Sequence, residues 1–104
     1  QAIIVPHAGY IYSAFTANVA FRALKNSNPK KIVVIGPSHK VYLEGASISL
    51  RDEFETPFGN LNIDNSLTSK IKEKFGLSFV PEAHKEHSTE VQMPFIKYYM
   101  PQAK

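Results

Sequence analysis

Residues 31–39 read KIVVIGPSH, and the fold class turns on them. Ile32, Val33, Val34 and Ile35 are four β-branched residues in a row, and Gly36-Pro37 closes the run. An unbroken apolar run of that length, ended by turn residues, predicts a strand covered on both faces of a parallel sheet. The chain carries one other such run, Ala2-Ile3-Ile4-Val5-Pro6. Between the two, Ser13 can cap a helix running to Asn26, since Phe15, Val19, Ala20, Ala23 and Leu24 return near a 3.6-residue period. Asn28 and Pro29 stop it. Two strands joined by a helical crossover make a right-handed βαβ unit. The expected class is therefore α/β, a parallel or mixed sheet with flanking helices.

Downstream, Ala46 to Leu50 reads as a further short strand, and Glu53 to Ile63 as a hairpin excursion around Gly59-Asn60. Asp64 then caps a helix to Phe75, with Leu67, Ile71 and Phe75 four apart and Gly76 at its end. Leu77 to Val80 is a weaker strand candidate. The last segment, Ser88 to Met100, reads as a helix that Pro94 must kink or stagger, because proline brings no backbone N–H.

Composition narrows the function classes. With 104 residues, 43% of them hydrophobic, the chain suits a single domain. It opens on Gln1 and reads as the N-terminal portion of a longer domain. Its apolar runs stop at five or six residues, far short of the roughly 20 that cross a bilayer, so no membrane association is expected. With no cysteine there is no thiolate ligand among these residues, and the expected compartment is the cytoplasm. The net charge of +3 is spread over Lys25, Lys30, Lys31, Lys70, Lys72, Lys74 and Lys97 without interleaved aromatics, which argues against nucleic-acid binding.

The histidines carry the chemistry. His7 follows the first apolar run, and His39 follows the second after Gly36-Pro37-Ser38. In open α/β sheets ligands bind beyond the carboxyl ends of the strands, and neighbouring strands lie about 4.8 Å apart, so two imidazoles at that rim can share one metal. Gly9 permits a sharp turn, and Tyr10, Tyr12 and Ser38 can wall a pocket there. A third cluster, His84-Lys85-Glu86-His87-Ser88-Thr89-Glu90, opens the last helix, with Ser88 or His87 near its N-cap. Within it, His87 is the candidate acid, base or substrate ligand, and Glu90 the candidate orienter of His87 or a capping partner.

PHAGYIYS (6–13), GPSHK (36–40) and EHSTEVQMPF (86–95), in that order and with ETPFGNLNID (55–64) between them, resemble the Memo family, also called AmmeMemoRadiSam system protein B. The resemblance covers the whole chain. It implies a core related to class III extradiol dioxygenases, which use non-haem iron, with His7 and His39 matching the family's metal-binding histidines and His87 a histidine near the same pocket. Family members commonly carry a second histidine where this chain has Lys40. They are more than twice as long, and their later histidine and metal-ligating cysteine fall beyond Lys104.

The leading expectation is thus a non-haem metal-binding protein, with iron or copper as the cofactor and zinc third. Its chemistry would be redox or dioxygenase-like on a small molecule, with enzymatic activity itself left open. The alternative is a non-catalytic module whose cleft takes a peptide or an anion through Tyr10, Tyr12, Lys40 and the start of the last helix. An α/β sheet lacking its later strands would leave an apolar edge bare, so self-association is also expected.

Overall fold

The computed structural model describes residues 1–104. Its secondary structure is mixed: four helices and one small antiparallel sheet. Helix α1 spans Tyr10–Ala23, its cap four residues and its end three residues earlier than the sequence predicts. Gly9, not Ser13, supplies the cap: its carbonyl accepts from the Tyr12 and Ser13 amides at 2.9 and 3.2 Å, while Ser13 Oγ donates back to Ala8 O at 2.7 Å. The buried stripe of α1 is Ser13, Ala17 and Phe21, four apart. Phe15 and Val19, expected on the core face, lie on the exposed side with Ile11.

Ala17 and Phe21 meet Leu61, Ile96, Met100 and Ala103 in the core. Phe21 stacks on Phe95 with centroids 5.3 Å apart and planes within 7° of parallel. The two apolar runs lie against this core through alternate residues only: Ile3 and Val5 from the first, Ile32 and Val34 from the second. Ile4 is fully exposed and Ile35 is 91% exposed. This corrects the expectation of strands covered on both faces, because only one face of each run has anything packed on it.

The expected parallel ladder between these runs is also absent. Ile32 N instead donates to Lys104 O at 2.9 Å, and Lys104 N to Lys30 O at 3.1 Å, so the second run is tied to the chain's last residue. The one sheet is the hairpin of β1 (Glu53–Phe54) and β2 (Leu61–Asn62), antiparallel with Phe54 opposite Leu61. Gly59, at φ 106°, makes the turn that the sequence placed there. The strands expected at Ala46–Leu50 and Leu77–Val80 reduce to one parallel bridge between Ser47 and Ser78.

Helix α2, Asn65–Phe75, begins and ends where its residues predict. Asp64 Oδ1 accepts from Leu67 N at 3.0 Å, and Gly76 closes the helix at φ 61°. The C-terminal helix is two helices. A single 3₁₀ turn, Pro81–His84, leads into α3, His87–Glu90, and α4 follows over Met93–Tyr99. Pro94 sits in the first turn of α4, where a missing N–H breaks no helical bond, so the chain restarts at the proline rather than bending through it. The N-cap of α3 is Glu86, not Ser88 or His87. No helix is long and apolar enough to cross a membrane.

Candidate functional site

His7 and His39, 32 residues apart, are brought together just beyond the two extended runs. Their ring centroids lie 5.3 Å apart, with planes inclined at 40°. A metal about 2.1 Å from an imidazole nitrogen lies about 3.3 Å from that ring's centre, so two rings sharing one ion have centres about 4.6–5.4 Å apart for ligand angles between about 90° and tetrahedral. The observed spacing falls in that range. The donor set stops there: no group of three or more His, Cys, Asp or Glu side chains is disposed to hold a metal. The pair by itself is two donors at a spacing compatible with a shared transition metal.

One short segment, 86–92, holds both histidine-bearing turns in place. Glu86, only 6% exposed, accepts the His39 amide on Oε2 at 2.6 Å and faces His39 Nδ1 with Oε1 at 3.1 Å. Oε1 also takes the His87 and Ser88 amides at 2.7 and 3.3 Å, which caps α3. Two residues on, Ser88 Oγ donates to Pro37 O at 2.7 Å. One turn further, Gln92 Nε2 donates to Pro6 O at 3.1 Å, immediately before His7. Gly36 is required where the second turn meets α3, since a Cβ there would lie 2.6 Å from Ser88 Oγ and 2.9 Å from Thr89 Cγ2. The four donors held by Glu86, the His39 amide and ring foremost, keep its carboxyl at about 2, well below the ordinary carboxylate value, against the opposing effect of burial.

The other predicted site residues are placed less tightly. His87 opens α3, and its Nδ1 lies 3.9 Å from Glu90 Oε2, too far for a hydrogen bond. Glu90 therefore neither caps α3 nor holds the His87 ring. The carboxylate that does grip an imidazole is Glu86, which the sequence reading passed over. Tyr10 starts α1 edge-on to Phe95 at 6.2 Å, and burial, then the Glu90 charge, push its phenol up. Tyr12 is 84% exposed and walls nothing. Ser38 Oγ donates to Val41 O at 2.6 Å, which fixes the turn that carries His39.

His84 belongs elsewhere. Its Nε2 lies 2.8 Å from Ser47 Oγ, which also accepts Val80 N at 2.9 Å. Which of the two donates is set by the His84 tautomer, and burial followed by the charge of Arg51 pushes His84 down. A groove of about 400 Å³, lined by Ile35, Ser38, Arg51, His84, Glu86 and Ser88 among others, runs beside this pair; neither His7 nor His39 lines it.

Comparison with known proteins gives a family. The family model described as Memo-like protein matches residues 1–104. A MEMO1 family protein of Thermoplasma volcanium is 41% identical over 98 residues, covering 92% of this chain and 36% of its own length. The protein memo-1 homolog of Caenorhabditis elegans is 36% identical over 102 residues, covering 96% and 29%. A MEMO1 family protein of Aquifex aeolicus is 43% identical over 101 residues, covering 95% and 37%. The chain thus spans about a third of the length of the curated relatives it matches. No solved structure matches.

Proposed function

This chain belongs to the Memo-like family, and from that premise we propose that His7 and His39 are two ligands of a non-haem transition metal, iron or copper before zinc, within an extradiol-dioxygenase-like core. The observation that carries the proposal is the 5.3 Å approach of the two rings. The matching spans only about a third of the relatives' length, so the remaining ligands are assigned to the full-length protein. When bound, such a metal supplies an open position for a small molecule or O2 and a route for electrons. The residues of this chain bind and orient it: His7 and His39 as neutral imidazoles, with the turn bonds from Ser38, Ser88 and Gln92 holding them in register. To His87, half-exposed at the start of α3, we assign proton exchange with a bound ligand, with the exposed carboxylate of Glu90 one turn on.

The test is metal content. Purified full-length protein is expected to carry iron or copper by elemental analysis. A His7→Ala, His39→Ala double variant with an unchanged circular dichroism spectrum is expected to lose it, and a folded double variant that keeps its metal would refute the assignment. A second reading is favoured by one observation, the aromatic groove lined by Tyr10, Phe58, Phe95 and Tyr98 with Pro57 and Pro94. Such a surface suits a peptide ligand of a non-catalytic module. Peptide binding that survives in the metal-free double variant would support it.

A further inference from the structure

We infer that Glu86 is a positioning residue for His39: its carboxylate fixes the proton on Nδ1 and so leaves Nε2 as the ring's one free donor to a metal. The inference rests on the metal reading above for its purpose, but its geometry stands alone. All four groups that Glu86 meets are donors or can act as one: the His39 amide at 2.6 Å, His39 Nδ1 at 3.1 Å, and the His87 and Ser88 amides at 2.7 and 3.3 Å. An ionised carboxylate offers acceptors only, so Nδ1 must carry the hydrogen, and the lone pair of the neutral ring is on Nε2. The grip is on both ends of the same residue. Oε2 takes the His39 backbone while Oε1 faces its ring, which restricts the ring's position as well as its tautomer. No lysine or arginine competes for Glu86, whose single ion-pair partner is His39. Outer carboxylates of this kind orient metal-bound histidines and raise their basicity.

Glu86 also caps α3, so a variant must separate the two jobs. Glu86→Asp does so: aspartate is a preferred N-cap, but one methylene less draws the carboxylate back from His39, 47 positions away in sequence. Nitrogen-15 NMR of the imidazoles, in metal-free full-length protein at a pH where the ring is neutral, is expected to find His39 wholly in the Nδ1–H form. In Glu86→Asp, with melting behaviour preserved, His39 should populate both tautomers while His84 keeps its own. Anaerobic Fe(II) titration should show affinity weakened about 10- to 100-fold, the usual cost of losing such a partner. A wild-type His39 protonated on Nε2 would overturn the inference without any variant, as would a folded Glu86→Asp protein with one unchanged tautomer and unchanged Fe(II) affinity. If the wild type takes up no Fe(II), the metal reading fails, and the tautomer result still decides the role of Glu86.

Discussion

At the scale of single residues, protons and hydrogen bonds separate the four histidines. Burial, and then the charge of Arg51, push His84 down, and Ser47 Oγ lies 2.8 Å from its Nε2. Its folded pKa lies below the ordinary 6.5, so the unfolded chain binds a proton more readily. The His84 contribution to stability is therefore complete above about 6.5 and falls away as pH drops through that value towards the folded pKa. Urea midpoints taken from about pH 8 to about pH 5 should decline, and the decline should be shallower in His84→Gln, whose side chain does not titrate. An equal slope in both proteins would place the titration at another histidine. Glu86 acts with the same sign in a lower window: its depressed carboxyl stabilises the fold above about 4.5, and that contribution is lost as pH falls towards 2.

At the scale of elements, the docking of α3 against the second histidine turn depends on the bare backbone of Gly36. Gly36→Ala drives a methyl into Ser88 Oγ and Thr89 Cγ2, and is expected to destabilise the fold by about 1–3 kcal/mol. Gly9→Ala is the control, since nothing lies within 4 Å of its added Cβ and its φ is −54°. Chemical denaturation of the two variants side by side checks the difference. The same elements divide what was legible in the sequence from what was not. Asp64, Gly59 and Gly76 could be read because each makes its bond or takes its φ within a few residues of itself. The proximity of His7 and His39 followed from two apolar runs ending in turns, even though the runs do not pair as a ladder. The pairing itself was illegible, because Ile32 is claimed by Lys104, a partner that no local pattern announces. Glu86 escaped for a related reason: glutamate is a poor N-cap by composition, and its value here comes from His39, 47 residues back. The inward stripe of α1 was misjudged because Phe15 and Val19 are apolar enough for a core but face away from the one this chain builds.

At the scale of the whole molecule, the unusual property is how much apolar surface stays uncovered. Ile4, Val33 and Ile35 on the extended runs and Ile11, Phe15 and Val19 on α1 are all exposed. Patches of this kind drive association in water. The 104-residue chain produced alone is expected to elute as an oligomer or aggregate in light-scattering chromatography, and an Ile4→Ser, Val33→Thr, Ile35→Thr variant should shift towards the monomer. A wild-type chain that is strictly monomeric at high concentration would contradict this. The segment 86–92 has a different consequence. Because it ties Pro6, Pro37 and His39 to one short stretch, the amide of His39, which lies in an open turn, is shielded by a side chain 47 positions away. In deuterium exchange that amide should be slow for a loop and should speed up in step with those of α3, so a single peptide around residue 39 reports whether the distant helix is seated.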